Sequence, residues 1–258
     1  MNRLAVRRRA RTSLTRSTAY GIVAGVPEGL RPLEGRARWA VIGLVAVIVS
    51  DVVATWSDWL EIDLMNRVLD GDDVSLDELE SNDDRQAIVG ILQLLALVAS
   101  AFFFIRWFHA AYANLRALGQ PNLRFGTGWA IGAWFVPFLN LWRPKQIAND
   151  IWRGSDPEAP SFHSSAWKDA GIPLLLGFWW GAWIVTNILG NAVGRAWFDT
   201  GTAENIRAAA TLDLVSSVID IGAAVLAIVV VRRLTARQAA RQQRLAASGS
   251  LPATMTSA

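Results

Sequence analysis

The chain has 258 residues, 52% of them hydrophobic and 18% charged, with 13 tryptophans, a mixture too apolar for an ordinary soluble domain of this length. Four runs of about 20 mainly apolar residues, each long enough to cross a bilayer core, exclude an independent soluble catalytic domain. The formal charge is only +3, yet it is segregated by sign along the chain, as happens when a bilayer sorts loops between two faces.

Residues 1–37 read as a disordered, basic cytoplasmic arm. Nine arginines fall within residues 1–38, against Glu28 and Glu34. No apolar core follows the basic run before Pro27, so a cleavable signal peptide is not expected. Such basic segments suit anionic lipid headgroups, at about 1 kcal/mol per basic residue near the surface. Without interleaved aromatics, nucleic acid is not the expected partner. The membrane domain is placed at residues 38–233. Its first span, residues 39–59, is bracketed by Trp39 and Trp59, as at headgroup level. Residues 60–86 read as an acidic external loop, with eleven acids between Asp58 and Arg85 against only Arg67 and Arg85. The second span covers residues 87–108, and its helix is expected to continue to Leu118, because no breaker appears before Gly119 and Pro121.

Residues 128–142 are apolar but short. Trp129 to Trp142 as a helix would reach only about 21 Å against a core of about 30 Å. Gly132 and Pro137 weaken that helix further, so a re-entrant or interfacial element is expected. The third and fourth spans are placed at residues 170–193 and 212–231. A basic cytoplasmic tail, residues 234–258, follows, helical to about Ala247. If residues 128–142 do not cross, 21 of the 25 basic residues share one side, and only Arg67, Arg85, Arg195 and Arg207 fall opposite. The predicted fold is therefore all-α: a polytopic protein of the inner (plasma) membrane with four transmembrane helices, a re-entrant or interfacial segment between helices 2 and 3, and both termini cytoplasmic.

A dense Trp/Pro/Asn pattern spans Arg106 to Trp152. It comprises Trp107, Tyr112, Asn114, Leu118 and Gly119 at the end of span 2. Gly128, Trp129, Trp134, Pro137, Asn140, Leu141, Arg143, Pro144 and Trp152 follow. With its flanking spans, about residues 38–232, this stretch resembles the family known as domain of unknown function 4328. The resemblance implies a multipass bacterial membrane protein and assigns no activity. Read from the residues, Pro137 frees a carbonyl that lipid cannot satisfy, and Asn114 and Asn140 are the expected partners. A pocket lined by Asn114, Asn140 and Arg143 is the functional alternative. After Pro144, Ile147 and Ile151 repeat at i, i+4, which predicts an amphipathic helix on the inner leaflet.

Asp51 and Asp220 are the acids well inside the predicted spans. They lie about 12 and 14 Å beneath the same boundary, counting 1.5 Å per helical residue. An intramembrane ionisable group is a functional-site candidate by default, and Gln93, Thr186 and Asn187 could complete a polar shell. Trp179, Trp180 and Trp183 should pack against neighbouring helices, and Gly177 with Gly181 forms a GxxxG suited to close approach. His109 and His163 have no metal spacing, no cysteine is present, and no catalytic motif or cofactor fingerprint is legible. The leading expectation is a non-enzymatic membrane protein that organises or regulates partners through its basic cytoplasmic surface and interfacial helix, with protein partners or a homo-oligomer expected. The alternative is a small ion- or proton-coupled transporter or channel-like subunit using Asp51 and Asp220.

Overall fold

The computed structural model of the protein describes residues 30–120, 122–159, 166–198 and 200–248. Most of the basic arm (residues 1–29), the end of the tail (249–258) and His163 lie outside the described residues. Six α-helices follow in order: α1 (Glu34–Asp70), α2 (Leu76–Ala117), α3 (Trp129–Gly132), α4 (Arg143–Gly154), α5 (Leu174–Ala196) and α6 (Ala203–Ala247). Short 3-10 turns cover Leu139–Leu141 and Ala166–Asp169.

Three helices, α1, α2 and α6, are long and apolar enough to cross a membrane. At 37, 42 and 45 residues they outrun a bilayer core, since each would measure about 55 Å or more. The expected third span corresponds to α5, whose 23 residues are long enough. Its three tryptophans, its glycines, Asn187 and Asn191 dilute its apolar character, and it does not join the three.

Residues 60–86 do not form the expected loop. α1 runs on to Asp70 and α2 starts at Leu76, leaving only a tight turn between them. Two caps dictate this. Gly71 ends α1 in the left-handed region at φ 82°, which a side chain would resist, and the Asp72 amide donates back to Arg67 O at 3.0 Å. Ser75 Oγ then accepts the Glu78 amide at 3.2 Å and opens α2. An Arg67–Glu78 ion pair crosses the turn, but both side chains are over a third exposed, so it contributes little.

The bundle is arranged for lipid. On α2, Ile91, Leu94, Leu95, Val98 and Phe102 are all more than half exposed. On α1, Asp51, Ser57, Asp58 and Glu61 are turned inward and at most 5% exposed. A seam of small residues lets the helices approach. A Cβ on Gly43 would lie 2.8 Å from Ser100 Cα, so α1 and α2 touch backbone to backbone there. Among the described residues no helix approaches the GxxxG face: a Cβ on Gly177 or Gly181 would meet nothing within 4 Å. α5 packs along α6, and its tryptophans tie it to α2 and the 128–142 segment. Trp180 and Trp183 stack at 4.6 Å, Trp134 meets Trp183 edge-on at 5.6 Å, and Trp179 reaches Phe104 at 6.1 Å.

Where α1 begins and α2 and α6 end, called here the basic end, a buried polar knot replaces the seam. Asn114 accepts the Arg31 amide at 2.7 Å and donates to Arg31 O at 2.9 Å and to Gln238 Oε1 at 3.2 Å. Gln238 donates to Ala111 O at 2.8 Å and Ser155 Oγ at 3.2 Å. Arg241, 1% exposed, donates from Nε and Nη2 to Leu118 O at 3.0 and 2.8 Å, and from Nη1 to Asp156 O and Ala159 O. It thus caps the C-terminus of α2, where carbonyls lack partners and a cation is favoured. Gly119 turns the chain there at φ 84°.

α4 forms as expected, with Pro144 in its first turn. Its apolar face does not lie on a leaflet, however: Ile147 and Ile151 are fully buried in the core shared with α2 and α6. Asp150 is buried on the same helix, 3.4 Å from Arg124 Nε. Burial pushes its carboxyl above the usual range, against the pull of Arg124, Arg153 and Lys168.

Two predictions follow from this packing. Arg241→Ala leaves the α2 terminus and the 156–159 turn without donors and is expected to cost about 3 kcal/mol or more, read as a lowered Tm in detergent. For Asp150 the raised folded-state value means that its favourable contribution is complete below the ordinary carboxyl value of 3.8 and is lost as pH rises through the folded value. Asp150→Asn is therefore expected to raise Tm above the parent's at neutral pH, and the difference should close below about pH 4.

Candidate intramembrane polar site

Three helices bring the candidate residues together. On α1, Asp51 and Asp58 are two turns apart and share the inward face with Ala54 and Ser57. α2 runs antiparallel to α1, and its Gln86 and Gln93 are also two turns apart. On α6, Asp213 and Asp220 repeat the same interval around Ser216 and Ser217. Because the spacing matches on all three helices, the side chains fall into two layers separated by about 10.5 Å.

The deeper layer holds the predicted pair. Gln93 Nε2 donates to Asp51 Oδ1 at 3.3 Å, and Asp220 lies within electrostatic reach of Asp51. Asp220 Oδ2 stands 3.5 Å from Ser216 Oγ, and Thr186 of α5 is beside it. Asp51 Oδ2 is buried with no hydrogen-bond partner. Asn187 does not join this shell: it is exposed, and its Nδ2 bonds back to Trp183 O at 2.7 Å within α5.

The second layer was not foreseen. Asp58 is 2% exposed and lies beside Gln86 and Asp213, with Glu61 and Arg85 nearby. Ser57 Oγ donates to Gln86 Oε1 at 3.0 Å and accepts from Arg85 Nε at 3.0 Å. Trp197 Nε1 is 3.4 Å from Asp213 Oδ2. The Asp58 Oδ2 and Glu61 Oε2 oxygens are buried and lack hydrogen-bond partners, like that of Asp51. Periodicity held the signal. Asp58 and Asp213 stand seven residues from Asp51 and Asp220, but each lies at the margin of an apolar run and reads as a boundary residue on its own.

From the acidic end, where α1 turns into α2, polar groups therefore lead inward through Glu61, Asp58 and Asp213 to Asp51 and Asp220. Beyond that depth the seam is apolar, with Gly43 against Ser100 on one side and buried Ala224, Ala227, Val230 and Val231 on α6. Among the described residues no group of three His, Asp or Glu side chains is placed to hold a metal ion. Carboxylates held beside amides and hydroxyls in an apolar seam can each bind a proton.

The resemblance-bearing residues serve the basic end. Trp107 Nε1 donates to Thr235 Oγ1 at 3.0 Å, and the Tyr112 hydroxyl bonds both the amide and carbonyl of Phe125 at 3.1 Å. The Arg237 guanidinium lies 4.3 Å above the Trp152 ring. The alternative Asn114–Asn140–Arg143 pocket does not assemble. Asn114 is in the knot, the Asn140 backbone amide donates to Val136 O at 3.1 Å within its own segment, and the Arg143 guanidinium lies 4.2 Å over the Trp129 ring. Asn114 therefore does not satisfy the backbone freed at Pro137. His109 bonds Arg31 Nη1 through Nδ1 at 3.1 Å.

No curated protein and no solved structure matches the chain significantly. A family model described as a domain of unknown function (DUF4328) matches residues 70–236, from the turn after α1 through most of α6. That span covers well over half of the chain and includes the α2 and α6 sides of the polar column and Asn114 of the knot, stopping just short of Gln238 and Arg241, so the protein belongs to the DUF4328 family.

Proposed function

We propose that this is a proton-coupled integral membrane protein, with Asp51 and Asp220 as the proton-binding pair and the Asp58–Gln86–Asp213 layer as the approach from the acidic face. The observation that carries the reading is the matched two-turn register of acids and amides on α1, α2 and α6, which surrounds buried carboxylate oxygens without partners. Chance polar glue between membrane helices, worth about 0.6 kcal/mol per contact, does not call for two aligned layers. The topology that goes with this reading has α5 as a fourth crossing and both chain ends on the cytoplasmic side. The acidic turn is then external, and residues 128–142 dip in and return. Phe135 and Phe138, more than 70% exposed at the tip of that segment, suit contact with lipid.

The organising role expected from a basic cytoplasmic surface has less support. The arginines of the α6 extension are engaged within the chain: Arg237 with Asp156, Arg241 with backbone carbonyls, and Arg244 with Glu158. Fewer of them are left for a partner than the charge alone implies.

In proteoliposomes with an imposed pH gradient, the parent is expected to move protons. Asp51→Asn combined with Asp220→Asn should reduce that flux at least about tenfold, with little change in Tm because each amide keeps the shape and a hydrogen-bonding oxygen. Parent-like flux in the double variant defeats the reading. Topology is separately checked with impermeant thiol reagents, since the chain has no cysteine. A cysteine replacing Leu76, which is 81% exposed, should label from outside intact cells, and one replacing Gln243 should be shielded.

A further inference from the structure

A second site lies at the opposite end of the same helices. Between the start of α1 and the basic end of the α2 span, a cavity of about 460 Å³ is lined by Arg36, Trp39, Phe102, Phe103 and Arg106, among others. Its floor is aromatic: Trp39 stacks on Phe103 at 5.3 Å, and Phe102 meets Phe103 edge-on at 5.4 Å. Its rim is cationic. Arg36 donates from Nη1 to Pro32 O, which orients the guanidinium, and Arg106 lies 5.4 Å over the Phe102 ring. Neither arginine forms a salt bridge among the described residues, although Arg67, Arg124, Arg237 and Arg244 each do. Arg31, bonded to His109, adds positive charge nearby.

The chemistry that satisfies both halves at once is a phosphate on an acyl chain. Guanidiniums pair with phosphate through charge-assisted hydrogen bonds, and half-exposed Trp39 and Phe102 offer apolar surface at headgroup depth. A choline headgroup would bring a second cation to the arginines. We propose that this cavity binds one anionic phospholipid, with Arg36 and Arg106 on the phosphate and Trp39, Phe102 and Phe103 against the glycerol and first acyl carbons. The inference stands apart from the proton reading, since it concerns other residues and the lipid-facing surface.

Native mass spectrometry of the full chain in mild detergent tests it, using phosphatidylglycerol, phosphatidylcholine and inorganic phosphate as probes. The parent should retain phosphatidylglycerol in preference to phosphatidylcholine, and millimolar inorganic phosphate should not displace it. Arg36→Gln with Arg106→Gln should cut retention at least about tenfold. A control pair, Arg38→Gln with Arg232→Gln, removes the same charge from a neighbouring groove and should retain the lipid. If the double variant does not fold, Arg106→Gln alone gives the readout, because that side chain is exposed and unpaired with any carboxylate. The proposal is overturned by equal retention of both lipids, by equal losses in the control pair, or by displacement with inorganic phosphate.

Discussion

Lipid offers no hydrogen bond, and the architecture of this protein follows from that constraint. Every polar side chain on α1, α2 or α6 within the apolar stretch must turn toward another helix or bond to its own backbone. Apolar residues such as Ile91, Leu94 and Val98 of α2 can then face outward, as they would not in a soluble bundle. Helices can bury polar groups against each other only at short range, which is why alanine, serine and glycine line the same seam. Gly43 against Ser100 is the tightest point. The acid column and the close packing are thus two consequences of one solvent.

The two ends of the seam use polarity differently. At the basic end Asn114, Gln238 and Arg241 are buried and bonded to carbonyls, amides and each other, so the network locks α2, α4 and α6 into one unit. Such a network rigidifies because each donor has a specific acceptor. In the column Asp51, Asp58 and Glu61 each keep a buried oxygen with no protein hydrogen-bond partner, as Asp150 does on α4, and here the three acids follow one another along the inward face of α1. A buried carboxylate without a protein donor is costly for stability, and a proton is the smallest ligand that lowers the cost. Stability and proposed chemistry are therefore lodged in different parts of the same three helices.

What could be read from the sequence was whatever depends on local signals. The run of apolar residues located α1, α2 and α6, the Gly119–Pro121 pair gave the end of α2 within a residue, and Pro144 opened α4. The helices flanking Gly71 went unread because acids at irregular spacing look like a loop. The Ser75–Glu78 capping pair and the glycine were the available clues. Asp51 and Gln93 were identified from depth alone. Asp58 and Asp213 were signalled only by their seven-residue spacing from Asp51 and Asp220, and the place of Gln86 beside them needs the antiparallel register of α1 and α2, which no single segment contains. Arg241 was hidden for a similar reason: a basic tail reads as solvated until the carbonyls of residues 118, 156 and 159 are seen around it. Gly177 and Gly181 show the converse, a local motif that no helix approaches among the described residues.

The column also constrains how a proton could be handled. Its polar groups reach inward from the acidic end and stop at Asp51 and Asp220, where Gly43, Ser100, Ala224 and Ala227 close the seam. A fixed bundle of this kind equilibrates its acids with one side only. On the proposed reading, passing a proton onward requires α1 to shift against its neighbours, and Gly43 against Ser100 of α2, with Ala224 and Ala227 on α6, are small residues of the kind that permit sliding by about an ångström or two. The knot at Asn114, Gln238 and Arg241 would hold one end of α6 during such a shift, leaving the column end to move. Coupling, on this view, consists of a protonation that removes repulsion between carboxylates on α1 and α6 and so changes how closely the two helices pack.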